Sequence, residues 1–369
     1  MKKYSKIKSI AVVAVTLGML FGFGVWSLIL PDAEVSRAER RKLEQAPELS
    51  AQSVFSGSYM TDLETYWLDQ FPLRDAWRSI KAMVRFDVFR QLDNNGIYLS
   101  GDSVCKMETE LKEDQVKYAA EKINEVTQTY LEGMPVYWAV VPDKNVYAAG
   151  DRPQLDTNRM LDIMRQTVNP QATYVDLFGL LTLDDYYRTD THWRQEEILP
   201  VAQALGEAMG MPVDLSAPAG GFTQHTLEPF YGVYFGQSAL NVQPDALCYL
   251  TSEAIDAAVM TGLEFEGERP VYDPAAIDSM DGYNVFAGGP QAIVTIESPK
   301  AQTDRELIIF RDSFGSSLSP LFLEGYSKVT LIDLRYIPAS LVGDYVTFED
   351  QDVLFLYSTS LLNSGMLLR

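Results

Sequence analysis

The chain has 369 residues, 47% of them hydrophobic and 11% aromatic, which is enough to bury a large core and too apolar for a disordered chain. Its formal net charge of −21 repels phosphate backbones and sets nucleic-acid binding aside. Only two histidines, His192 and His225, and two cysteines, Cys105 and Cys248, are present, which argues against a His-rich zinc site and a disulfide framework. The cysteines read as buried thiols, with a single bridge in an oxidising compartment as the alternative.

Lys2, Lys3, Lys6 and Lys8 precede an uncharged apolar run from Ser9 to Leu30. A helix needs about 20 such residues to cross the hydrocarbon core. The four lysines favour a cytoplasmic N-terminus, although Arg37, Arg40, Arg41 and Lys42 follow on the far flank. Residues 1–30 therefore read as an uncleaved single-pass anchor, with membrane contact through 9–30 and the main domain extracytoplasmic. A cleaved signal peptide would keep the compartment and lose the tether.

Residues 31–110 read as a helical linker followed by a hairpin. Residues 31–50 are polar, and Phe55 to Phe71 is an amphipathic helix stopped by Pro72. A second helix over Leu73–Gln91 carries Trp77, Ile80, Met83, Val84, Phe86, Val88 and Phe89 at helical spacing. Asn94-Asn95-Gly96 breaks it, and Gly101-Asp102 turns a short strand at Ile97–Leu99 back on itself.

From 111 to 369, helices and short β-rich runs alternate. Helices are predicted over Glu113–Leu131, Asp156–Val168, Trp193–Met209 and Ser316–Leu323. Strands are predicted at Val136–Val141, Thr173–Leu177, Leu307–Phe310, Val329–Leu334 and Val353–Tyr357. This pattern predicts an α/β fold with a parallel sheet flanked by helices. Residues 211–300 have no long helical period and read as an irregular β-rich insertion.

Ser313 follows an apolar strand and precedes a predicted helix, a turn that exposes a hydroxyl at the carboxyl edge of a sheet. The helix start would also offer N–H groups to an oxyanion. The bland reading of Ser313 is a helix cap. Asp190 and His192 lie two apart, so that in an extended segment they face one way and the acid can orient the imidazole. The bland reading of Asp190 is again a cap. Ser103, in Gly101-Asp102-Ser103, has no helix after it and reads as a turn residue. His225 reads as a loop residue. Lys144, Arg335, Tyr336 and Asn363 follow strand ends and are secondary candidates for substrate or oxyanion contact. No cofactor or metal is indicated.

Four spaced segments resemble the DHHW family of surface proteins, which is related to the alginate O-acetylation proteins of the SGNH-hydrolase superfamily. They are Phe71-Pro72-Leu73-Arg74-Asp75, Val141-Pro142-Asp143-Lys144-Asn145-Val146-Tyr147, Tyr187-Arg188-Thr189-Asp190-Thr191-His192-Trp193 and Arg311-Asp312-Ser313-Phe314-Gly315. One departure is Thr191, where the family has its first motif histidine. The resemblance implies a circularly permuted SGNH-like sheet, with the Asp-x-His block before the serine block and Asn363 near the oxyanion asparagine block. It also implies a Ser313 nucleophile, a His192 base and an Asp190 orienter. The implied activity is an acyl-esterase or O-acetyltransferase on a cell-surface polysaccharide, working beside a membrane-bound O-acyltransferase. A non-catalytic anchored binding or scaffold protein on the same fold is the alternative, because fold does not dictate activity.

Overall fold

A computed structural model describes residues 2–36, 39–148, 150, 152–215, 221–240 and 242–369. Arg37 of the far flank and 216–220 of the 211–300 stretch lie outside the described residues. The chain divides into two compact units, Met1–Leu92 with Ala239–Asn241, and Asp93–Ser238 with Val242–Arg369.

In the first unit, helix α1 spans Lys2–Ile29, and its stretch Ile7–Ile29 is long and apolar enough to cross a membrane, with mean hydropathy 2.1. A minimal antiparallel pair follows, β1 (Val35–Ser36) and β2 (Arg41–Lys42). Then come α2 (Ala51–Ser56), α3 (Ser58–Asp69) and α4 (Arg74–Met83). The single helix predicted over 55–71 is divided at Gly57, whose φ of 82° ends α2 in the left-handed region that glycine adopts without strain. The helix predicted from Leu73 runs as α4 and then loosens into a π turn at Val84–Val88.

An ion cluster ties this unit together. Arg41 grips both oxygens of Asp69 at 2.7 and 2.5 Å, while Arg74 and Arg78 reach Glu39 at 2.6 and 2.9 Å. The Arg41 guanidinium holds the Asp69 carboxyl at about 2, against the opposing effect of burial. A carboxylate depressed by folding stabilises above its unfolded pKa and loses that contribution as pH falls through the folded value. Acid should therefore loosen this unit between about pH 4 and about pH 2. Hydrogen exchange at α3 and α4 across that window should show it, and Asp69→Asn should flatten the dependence.

The second unit opens with a hairpin of β3 (Ile97–Ser100) and β4 (Ser103–Lys106). It continues with α5 (Glu113–Tyr130), β5 (Val136–Val141), α6 (Thr157–Thr167), β6 (Thr173–Val175) and α7 (Leu199–Ala208). Next are β7 (Thr223–Phe230), α8 (Val233–Ser238), β8 (Asp245–Thr251), α9 (Glu253–Asp256), β9 (Val259–Gly262), β10 (Phe265–Arg269) and β11 (Ile293–Glu297). The chain closes with β12 (Glu306–Arg311), α10 (Phe314–Leu318), β13 (Lys328–Ile332), β14 (Asp352–Ser358) and α11 (Thr359–Leu362).

The central sheet has eight strands in the order β10-β9-β11-β13-β12-β14-β5-β6. From β13 to β6 every pairing is parallel, and β11, β9 and β10 add an antiparallel flank. The fold is thus α/β with a mixed, mostly parallel sheet. Strand β14 is buried at every residue, because both faces of the parallel part are covered. Leu307, Ile309, Leu354 and Leu356 face one apolar core with α7, while Ile308, Phe310, Val353 and Phe355 face another with α5 and α6. This alternation is the period-two signature of a strand covered on both sides.

Residues 211–300, expected as an irregular β-rich insertion, are β-rich but contribute to the central sheet. Three of their strands, β9, β10 and β11, are the antiparallel flank of the central sheet, and β7 and β8 pair separately. The helix predicted from Trp193 starts only at Leu199, after a 3-10 turn at Gln195–Glu197. That predicted at Ser316–Leu323 is the short α10 followed by a 3-10 stretch at Ser319–Glu324, which carries Pro320 near its start. Cys105 and Cys248 are both free and buried, and burial pushes the Cys105 thiol up to about 11.

Candidate active site

Strand β12 delivers Arg311, Asp312 and Ser313 to the carboxyl edge of the parallel sheet, between its neighbours β13 and β14. Such edges are where α/β sheets place their ligands. The turn into α10 is fixed by Asp312. One of its oxygens accepts from Phe314 N (3.1 Å) and the other from Ser358 N at the end of β14 (2.8 Å). Asp312 therefore does the capping, and Ser313, with φ −60° and ψ −23°, makes no side-chain cap bond. Gly315 is needed here by close approach, since a Cβ would stand 2.6 Å from that of Arg311.

The second segment is a closed loop. The Tyr187 N–H donates to the His192 carbonyl at 3.1 Å, and Tyr186 bridges to Trp193. Asp190 and His192 are thus on a tight bend, not on an extended strand, and no helix starts there for Asp190 to cap. Oδ1 of Asp190 instead accepts from the His192 backbone N–H (3.1 Å) and lies 2.6 Å from Nδ1 of the ring. Its Oδ2 accepts from Val233 N at 2.7 Å. The far ring nitrogen, Nε2, lies 2.7 Å from Ser313 Oγ. With Asp190 accepting from Nδ1–H, Nε2 is left as the acceptor facing the hydroxyl. Asp190 is fully buried and His192 nearly so, while Ser313 is partly exposed.

Four residues outside the sequence motifs hold this arrangement. Asp245 at the start of β8 accepts from Arg188 N, Thr189 N and the Thr189 hydroxyl at 2.5–2.8 Å. Gly232 lets the chain pass so close to Thr189 that a Cβ would lie 2.2 Å from the Thr189 carbonyl oxygen. Tyr283 stacks on the His192 ring with centroids 3.7 Å apart and planes at 8°. Ser317 receives the Tyr283 hydroxyl at 2.8 Å and Trp193 Nε1 at 2.9 Å, which locks both rings. Asp245, Gly232 and Tyr283 lie in or beside the 211–300 stretch, where no periodicity or motif marks them.

The secondary candidates have other occupations. Lys144 is fully buried and donates to the Tyr187 and Arg188 carbonyls at 2.8 and 3.0 Å; burial lowers its pKa. It braces the Asp190 loop and does not face solvent. Asn363 is also committed: its NH2 donates to Glu108 Oε1 and the Glu110 carbonyl, and its Oδ1 accepts from Lys112 N. Neither of its N–H groups is left for an oxyanion. The leading amides of α10 are engaged too, Phe314 N with Asp312 Oδ1 and Gly315 N with the Asp312 carbonyl. Arg335 forms a two-point bond to Asp333, which also faces the buried Arg311 at 3.7 Å. Its neighbour Tyr336 is exposed. Ser103 sits in the hairpin opposite Ser100 with a strand after it. His225 lies on strand β7, not in a loop, with Nε2 3.0 Å from Thr251 Oγ1.

The fold has solved counterparts. A DHHW family protein from Eubacterium siraeum matches 74% of this chain and 95% of its own, with TM-score 0.60 and 22% identity. The chain has the fold of that protein. PatB1 of Bacillus cereus matches 73% of this chain and 97% of its own, with TM-score 0.58 and 18% identity, in a structure carrying a sulfonyl adduct. No protein-family model matches the chain, and none of the curated proteins does.

Proposed function

We propose that this chain is an extracytoplasmic serine acyl-esterase or O-acetyltransferase acting on a cell-surface polysaccharide. The observation that carries the reading is the continuous Asp190–His192–Ser313 chain of contacts at 2.6 and 2.7 Å. In the proposed cycle His192 Nε2 takes the Ser313 proton as Oγ attacks the ester carbonyl. Asp190 holds the tautomer and balances the imidazolium. The proton then passes to the leaving alcohol, and water or a sugar hydroxyl, deprotonated by the same nitrogen, releases the acyl group from Ser313. The order of the segments, with the Asp-x-His bend before the serine turn, fits a permuted SGNH arrangement. Helix α1 would hold the enzyme on the outer face of the membrane, beside a membrane-bound O-acyltransferase as acyl source.

A sulfonyl fluoride tests the nucleophile, since it sulfonylates activated serines and a sulfonyl adduct is known on PatB1. Intact-mass and peptide analysis of the full chain should place one adduct on Ser313 and none in His192→Ala. Labelling of Ser103 in place of Ser313 would overturn the assignment. Tyr283 should tune the rate. Its stacking on an imidazolium is worth about 0.5–2 kcal/mol, so Tyr283→Leu should lower kcat on a small acetyl ester about twofold to about 30-fold. Tyr283→Phe keeps the ring, loses only the Ser317 bond, and should fall between that variant and wild type. Equal activity of all three would remove Tyr283 from the site's design.

A further inference from the structure

Within the first unit, Phe23 of α1 stacks on Phe71 with centroids 5.5 Å apart and meets Trp77 edge-on at 5.8 Å. Phe23 lies six residues before the end of α1 at Ile29, about 9 Å along the axis at 1.5 Å per residue. If α1 crosses a bilayer with its C-terminal end at the outer surface, rings packed against Phe23 stand below that surface. Phe71 and Trp77 nevertheless keep 39% and 45% of their surface open. The openness continues along one stripe of α4 and the π turn, where Ile80, Val84 and Val88 are 44%, 37% and 67% exposed. Residues 77, 80, 84 and 88 recur at helical spacing. The same segment, 73–90, carries five basic residues against two acidic ones in a chain whose net charge is −21; Arg74 and Arg78 pair with Glu39, and Lys81, Arg85 and Arg90 are the other three. A basic helix with a bare apolar stripe beside a tryptophan is the composition of an interfacial helix.

We infer that the α4 segment lies in the outer headgroup–acyl boundary of an anionic bilayer, packed against α1 as a second, interfacial attachment. This rests on α1 spanning the membrane and is independent of the catalytic reading. An interfacial helix buries its apolar face about 5–10 Å deep, which matches the level of Phe23. The attachment would make the first unit part of the membrane surface and not a loose tether.

The test places a bimane label on single added cysteines, Ile80→Cys and Val84→Cys, with Phe23→Cys and Asp62→Cys as references. The native thiols are buried. The full chain is reconstituted at one copy per nanodisc of phosphatidylglycerol and phosphatidylcholine, with or without bromine on the acyl chains. The expected result is that labels at 80 and 84 lose most of their emission to brominated lipid, as at 23, while the label at 62 does not. Quenching at 23 with none at 80 and 84 would overturn the inference and leave the anchor standing. No quenching at 23 would remove the spanning helix and the inference with it. Labels at 80 and 84 shielded from iodide but untouched by bromolipid would mean a protein cover, and would equally overturn it.

Discussion

Ser313→Ala and His192→Ala are each expected to abolish nearly all acetyl-ester turnover by the full chain, with a loss on the order of 10⁴-fold or more in kcat. The reason is that a serine hydroxyl is a weak nucleophile until a base removes its proton. The proposed base is His192, whose Nε2 lies 2.7 Å from Oγ. The double variant should lose little beyond either single one, because members of one unit do not add. Asp190→Asn should retain the fold and still lose much of the rate, since an amide no longer dictates which ring nitrogen carries hydrogen. His225→Ala should be silent, as its ring faces Thr251 on a separate strand pair. A Ser313→Ala protein with full turnover would end the mechanism. A wild-type chain inert to every ester and acceptor offered would move the reading to a binding role on the same fold.

Much of the candidate site's geometry was legible because the residues that carry it sit in short local segments. Ser313 stands at a strand-to-helix turn that four consecutive apolar residues, Leu307 to Phe310, announce. Asp190 and His192 are two apart, and only two histidines compete for the role. What pattern could not reveal is how the loop is held. Lys144 looks like a solvated loop lysine, yet its ammonium is spent on two carbonyls 43 and 44 positions away. Asn363 looks like an oxyanion donor, yet it fastens residues 108–112, some 250 positions earlier. Within the 211–300 stretch the flank strands β9 and β10 are short and largely exposed, and their pairing shifts register, so no clean alternation marks them. It still supplies the ring on His192 and the carboxylate under Thr189. Long-range placement of this kind has no signature in spacing. The eight-strand order likewise follows from crossovers that alternation alone leaves open.

Gly232→Ala is the sharpest test of that hidden support. The added methyl would meet the Thr189 carbonyl carbon and oxygen at 2.3 and 2.2 Å and Asp190 Cβ at 2.5 Å. None of these is the far end of a flexible side chain, so the Asp190 bend itself must move. It cannot move freely, because Asp245 grips Thr189 from one side and Lys144 holds the Tyr187 and Arg188 carbonyls from another. Overpacking of this kind costs about 1–3 kcal/mol, which calorimetry should register as a Tm several degrees lower. The larger effect should be on rate. On the proposed mechanism, a displacement near 1 Å in Asp190 can cost about 10²-fold, and it should appear in kcat with KM little changed. Gly179→Ala is the control, because a methyl there meets nothing within 4 Å. Wild-type turnover and an unchanged Tm in Gly232→Ala would show that the close approach at Thr189 does not hold Asp190 in place. A lower Tm with kcat intact would separate the fold's need for Gly232 from the site's.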